Sequence, residues 1–402
     1  MKYIVILGDG MADTPHEVLG DRTPLEVADK PLMDLLATQG EMGMVRTVPG
    51  GMPPGSDVAN LSVMGYDPAV YYTGRSPLEA ASIGVRLEDT DCTFRCNIVT
   101  LSEDEPYEEK TMVDYSSDEI STPEAEELLR AVKSVFETDA LHFYRGRSYR
   151  HLLVWHHAPE GFRLTPPHDI SERKITDYLP QGPDDVLYRM MKESYDILSV
   201  HPVNLARKAR GLRPANSLWF WGAGKKPRLC SFEEKYHLKG SVISAVDLVM
   251  GLGVCAGLKV VEVEGATGNI HTNFAGKGEA AVRELLGGQD FVYVHVEAPD
   301  ESGHRFEPDN KVRAIEWIDE KIIRPVKAAL EAAGEPFAML VMPDHPTPLW
   351  CRTHTSDPVP YVIYRSGALE THPARRYTEQ EAAATGIFVE HGHDMLDRLI
   401  NG

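Results

Sequence analysis

The apolar run Tyr3–Leu7 in "YIVILGDGMAD" is rich in β-branched residues and stops at glycine, which predicts a buried strand. Five further runs of the same kind, "SVISAVDL", "LKVVEVEG", "DFVYVHVEA", "FAMLVMPDH" and "PVPYVIY", predict further buried strands. Between several of them the period changes to that of an amphipathic helix, as in "GKGEAAVRELL" and "NKVRAIEWIDEKIIRPVKAALEAAG". Strands that alternate with helices and carry apolar residues on both faces predict a mostly parallel sheet covered by helices.

The pattern changes between Cys92 and Val203. Strand-like "TFRCNIVTLS" and "HLLVWHH" here flank helix-like "TPEAEELLRAVKSVF", followed by the proline-rich "LTPPHDISERKITDYLPQGPDD". The expectation is an α/β fold with a smaller α+β domain inserted at 92–203, so that 1–91 and 204–402 form one discontinuous core. A chain of 402 residues exceeds the usual size of one compact domain, which agrees with two.

Charge narrows the partners. Asp and Glu number 61 against 41 Lys and Arg, a net charge of -20 spread along the chain, which argues against nucleic acid and anionic membrane. A phosphorylated small molecule would need a local basic pocket or metal. The five cysteines form neither a disulfide framework nor a zinc knuckle, and the short apolar start is neither a membrane span nor a signal peptide, so a reducing cytoplasm is expected.

Four predicted strand ends carry metal-ligating residue types: Asp9 in "ILGDG", Asp300 with His304 in "VEAPDESGH", Asp344 with His345 in "PDHPTP", and His354 in "RTHTSDPVP". One such residue is ordinarily a turn former or helix cap. Four ends together supply three carboxylates and three imidazoles without a thiolate, a donor set suited to two divalent ions of the zinc or manganese kind. Functional groups of open α/β sheets gather beyond these carboxyl ends. Ser56, in "PPGSDVANLSVMGYDP", fits two roles equally: an N-cap of the helix that follows, or a metal-activated nucleophile at an anion-friendly helix start.

In order, "GDG", "PPGSDVANLSVMGYDP", "YYTGRSPLEAASIGV", "VHVEAPDESGH", "PDHPTP" and "RTHTSDPVP" resemble the archaeal-type cofactor-independent phosphoglycerate mutases of the alkaline phosphatase superfamily, over nearly the whole chain. The resemblance implies an alkaline-phosphatase-like core and Ser56 as a nucleophile phosphorylated during turnover. It also implies one divalent ion held by Asp9, Ser56, Asp344 and His345, and a second held by Asp300, His304 and His354, with manganese, zinc or magnesium as the metal. The implied reaction moves the phosphoryl group of 3-phosphoglycerate to Ser56 and returns it to the other hydroxyl, with the inserted domain as a lid that excludes water.

Cations for the glycerate carboxylate are expected from "FYRGRSYRH" and "TPPHDIS", with Arg150 and His168 favoured and Arg147 and Asp169 beside them. Asp57 and Lys225 are further candidates for substrate contact, although capping is the simpler role for Asp57. "WGAGKKP" lacks the glycine and the Ser or Thr of a phosphate-binding loop, and "EHGHD" reads as a helix start. "GSDVAN", "SYRHLLV" and "TPPHDI" also resemble a bacterial subgroup proposed as homoserine kinases, so a small-molecule phosphotransferase is the alternative and a metal-dependent phosphatase a weaker one.

Overall fold

The computed structural model describes residues 1–368 and 372–402. Thirteen strands are named in chain order: β1 Lys2–Gly8, β2 Glu41–Val45, β3 Asp91–Leu101, β4 Met112–Asp114, β5 Leu141–Tyr144, β6 Arg150–His156, β7 Ser217–Lys225, β8 Gly240–Ile243, β9 Lys259–Val261, β10 Phe291–Val296, β11 Phe337–Met342, β12 Val359–Arg365 and β13 Phe388–Val389. The chain divides into two compact units, one made of Met1–Tyr72 and Arg228–Gly402, the other of Thr73–Pro227.

The discontinuous unit holds an eight-stranded sheet in the order β13-β2-β12-β11-β1-β10-β8-β9. From β11 to β9 all neighbours are parallel. Every residue of β10 and β11 is buried, as a strand with helices on both faces must be. The core includes Ile4, Ile6, Val292, Val294, Met339 and Val341 on the sheet, packed by Phe274, Leu285, Ile315, Ile322 and Leu330 from the helices. β12 runs antiparallel to both β11 and β2. Because of that reversal, the loop between β11 and β12 stays at the carboxyl edge of the parallel strands, and β2 ends at the same edge.

Two local expectations change. The strand in "SVISAVDL" stops at Ile243, because Ser244 takes the Val246 N–H at 3.0 Å and turns the chain, and Asp247–Cys255 is helical. The long helical stretch after Asn310 is interrupted by a π turn at Asp319–Ile323. There the Asp319 carboxylate leaves its own helix to accept the Leu32 and Met33 N–H groups at 3.2 and 2.6 Å.

The other unit is an antiparallel sheet in the order β4-β3-β6-β5, with β7 paired to β3. Helices Thr122–Phe136 and Val186–Ser199 bring Leu128, Val132, Leu187 and Met191 into its core with Phe94, Leu153 and Phe220. Its limits are Thr73 and Pro227 rather than 92 and 203. β3 needs β7 as its second neighbour, and helix Ser76–Ser82 is tied to β3 by Ser76 Oγ, 3.0 Å from the Thr93 carbonyl.

Candidate active site

β1, β10 and β11 run side by side in register, Gly8 beside Val296 and Leu7 beside Met342. Asp9 therefore follows β1 at the level where Glu297 follows β10 and Pro343 follows β11. Helix Ala298–His304 starts at that edge and carries Asp300 in its first turn and His304 one turn later, so both point the same way. The β11–β12 loop contributes Asp344, His345 and His354. Three distant parts of the chain thus meet at one end of three strands.

Two donor clusters result. In the first, His345 Nε2 lies 3.1 Å from Ser56 Oγ and 3.5 Å from both Asp9 Oδ1 and Asp344 Oδ2. In the second, Asp300 lies 3.3 Å from His304 Nε2 and 3.3 Å from His354 Nε2, and the two imidazole nitrogens are 2.9 Å apart. His304 Nδ1 faces the Arg352 carbonyl at 2.9 Å, which directs Nε2 into the cluster. Asp300, His304 and His354 can converge on one cation, as can Asp9, Asp300 and His345, and Asp9, His295 and Asp344.

Ser56 does not cap its helix. Gly55 occupies the N-cap and Ser56 is the first residue of helix Ser56–Val63, which leaves its hydroxyl free to face His345. Asp57 turns the other way: its Oδ1 accepts the Val58 N–H at 3.0 Å and its Oδ2 the Tyr72 hydroxyl at 2.6 Å. Asn60, one turn on, donates to Asp344 Oδ2 at 2.8 Å and accepts from the Tyr293 hydroxyl at 2.8 Å.

Asp9, Asp300 and Asp344 are all buried. Burial, followed by repulsion from Asp344 and Asp300, pushes the Asp9 carboxyl well above the usual range. Its Oδ1 is buried with no hydrogen-bond partner among the described residues. An acceptor left in that state, among like charges, is what a cation site without its cation requires. Burial also opposes charge on Asp300, but hydrogen bonds from His304 and His354 outweigh it and hold that carboxyl well below the usual range. The same hydrogen bond raises His304 to about 9. Burial lowers His345 and pushes His295 down to about 3, so both imidazoles are neutral.

The model of the 2,3-bisphosphoglycerate-independent phosphoglycerate mutase family matches residues 37–204. The chain is 49% identical over its full length to a protein of Geobacter sulfurreducens described as a probable member, with 100% of each chain covered. It is 46% identical to the phosphoglycerate mutase of that name from Methanosarcina barkeri, covering 100% of this chain and 99% of the other. The chain belongs to this family. Among solved structures, a Pyrococcus horikoshii protein is similar at a TM-score of 0.82 and 30% identity, with 100% and 96% of the two chains covered. The cofactor-independent phosphoglycerate mutase of Thermoplasma acidophilum is similar at a TM-score of 0.67 and 27% identity, covering 100% and 99%. Among the described residues no helix is long and apolar enough to cross a membrane.

The remaining candidates lie in the family member's other unit. Arg150 stacks over Tyr149 at 4.8 Å and donates to its hydroxyl at 2.9 Å. His168 packs edge-on against Trp221 at 5.1 Å, and Asp169 is exposed 3.7 Å from it. Arg147 is exposed, and Lys225 pairs with Glu160. His151 is buried, and burial holds it down at about 4, so it is not a surface cation.

Sequence reasoning passed over Arg95, whose guanidinium lies 4.2 Å above Trp221 and 2.9 Å from Glu79. Glu79 also takes Arg75 at 3.1 Å, so one carboxylate serves two arginines. His295 was passed over too. Its Nε2 faces Asp9 Oδ2 at 3.0 Å and its Nδ1 faces Ser244 at 3.2 Å. A histidine inside the otherwise apolar "FVYVHVEA" was the available signal. The "EHGHD" stretch forms a 3₁₀ turn, Gly392–Asp394, leading into helix Met395–Asn401, and its histidines stack at 5.3 Å.

Proposed function

We propose that this chain interconverts 3-phosphoglycerate and 2-phosphoglycerate without 2,3-bisphosphoglycerate, through a phosphoserine at Ser56. The observation that carries this reading is the Ser56 hydroxyl itself, released from capping and placed 3.1 Å from His345 Nε2 beside Asp9 and Asp344. Asp9, Ser56, Asp344 and His345 would hold one divalent cation and Asp300, His304 and His354 a second. Manganese, zinc or magnesium there would neutralise charge on the transferring phosphate and lower the proton affinity of the Ser56 hydroxyl. The orphaned Asp9 Oδ1 supports a cation at this place.

The chain's own groups account for the rest. Ser56 Oγ forms a bond to phosphorus as the bond from phosphorus to the glycerate 3-oxygen breaks, and the serine proton leaves with the glycerate oxygen. The 2-hydroxyl then attacks the phosphoserine, the Oγ–phosphorus bond breaks, and Ser56 regains a proton. Asn60, itself held by the Tyr293 hydroxyl, holds Asp344 in place throughout. Arg150 and His168 are proposed to meet the glycerate carboxylate, and Arg147, Asp169 and Lys225 are further proposed substrate contacts.

The test is phosphorus NMR of manganese-loaded protein with 3-phosphoglycerate alone and, separately, with homoserine plus ATP. The expected result is 2-phosphoglycerate in the first tube and no change in the second. Phosphohomoserine in the second tube alone would overturn the assignment, and free phosphate alone would make the chain a phosphatase.

A further inference from the structure

We propose that the Thr347 hydroxyl is a positioning group shared by both candidate metal centres, so that its loss weakens the two together. The inference rests on the metal-dependent reading above. Thr347 is fully buried, and its Oγ1 donates to Asp300 Oδ1 at 2.5 Å and lies 3.4 Å from His345 Nδ1. A carboxylate only accepts, so Thr347 Oγ1 is the donor to Asp300, and the hydrogen of His345 is assigned from its neighbours. His345 Nδ1 also faces the Pro346 carbonyl at 3.3 Å, which only accepts, so Nδ1 carries the hydrogen. The chain therefore runs from His345 Nδ1–H to Thr347 Oγ1–H to Asp300 Oδ1. One consequence is that His345 Nε2 presents its lone pair toward Ser56, Asp9 and Asp344. Another is that Asp300, the carboxylate of the other centre, is oriented by the same hydroxyl.

The fold is built around this threonine from three sides. Gly10 has φ +61°, and a Cβ there would lie 2.5 Å from Thr347 Oγ1 and 2.7 Å from Asp300 Oδ1. A Cβ on Gly303 would lie 2.6 Å from the Thr347 carbonyl oxygen and 2.9 Å from its Cγ2. Buried Lys311 donates to that carbonyl at 2.7 Å and pairs with Asp13 at 2.7 Å. The glycines of "GDG" and "DESGH" thus leave space for one side chain that lies in neither motif.

Thr347→Val keeps the shape and removes the hydroxyl, whereas Thr347→Ser keeps the hydroxyl. The experiment is calorimetric titration of the metal-stripped full chain with manganese, with circular dichroism confirming the fold and Thr347→Ala as a second hydroxyl-free variant if valine disturbs packing. The expected result is two manganese sites in the wild type, both weakened about 10- to 100-fold in the valine variant and nearly unchanged in the serine variant. Cobalt absorption should shift in the valine variant and not in the serine variant. Wild-type affinity in the valine variant, or equal losses in both variants, would overturn the proposal and leave Thr347 a packing residue. A wild-type chain that takes up no manganese would sink the metal-dependent reading itself, a failure visible before any variant is compared.

Discussion

Replacing Asp9 by asparagine should stabilise the metal-free protein and destabilise it relative to wild type once metal is present. Without a cation, Asp9 Oδ1 is buried and unpaired while Asp344 and Asp300 repel it. A buried polar atom without a partner costs about 1–3 kcal/mol, more when charged. Asparagine keeps an oxygen for His295 and puts an N–H beside Asp344, which lies within hydrogen-bonding reach. In chelator at pH 8 the gain should be about 1–3 kcal/mol, at about 2–4 °C per kcal/mol for a domain of ordinary size. Because the Asp9 carboxyl is raised, the native state holds its proton to higher pH than the unfolded chain does. Stability of the metal-free wild type therefore falls as pH rises above the ordinary carboxylate range, and the variant lacks that slope. Manganese at a thousand times its dissociation constant should add about 4.1 kcal/mol to the wild type and much less to the variant. Thermal melts in chelator and in manganese should therefore rank the two proteins in opposite orders. A variant that melts below wild type in chelator, or one that gains equally from manganese, refutes the argument.

Ser56→Ala should abolish mutase activity while shifting stability by less than about 1 kcal/mol, since among the described residues its hydroxyl hydrogen-bonds only with His345; normal turnover would remove the phosphoserine. Asn60→Ala strands Asp344 Oδ2 and the Tyr293 hydroxyl in the core, and urea denaturation should register a loss of about 2–5 kcal/mol. His151, held at about 4 by burial, binds its proton later than in the unfolded chain. Stability should fall by about 3 kcal/mol between pH 6.5 and 4, and urea titrations of His151→Gln across that range should lack this component. Arg95→Met should raise KM for 3-phosphoglycerate more than it lowers kcat, as steady-state assays would show; an unchanged KM would confine Arg95 to packing on Trp221.

Much of the discontinuous unit was legible in the chain, because apolar runs ending in Gly-Asp, Pro-Asp or Asp-His are local signals of buried strands and the loops beyond them. "YIVILGD", "FVYVHVEAPD" and "FAMLVMPDH" each carry both the strand and the ligand type at its end. Parallel packing of such strands places their ends on one edge, so the sequence pattern alone predicts that Asp9, Asp300 and Asp344 meet. The roles of Ser56, Asn60, His295 and Thr347 were decided elsewhere. Ser56 could have capped its helix, and only the position of His345, 289 residues away, shows that its hydroxyl points into the cluster. His295 meets Asp9 across 286 residues, and Thr347 meets Asp300 across 47. The limits of the other unit depended on β7 pairing with β3, a register between segments more than a hundred residues apart. Residue type and strand period are properties of short stretches, so the sequence by itself determined the strands and the donor atoms. Hydrogen-bond direction and burial depend on which distant segments become neighbours, and those only the tertiary structure decided.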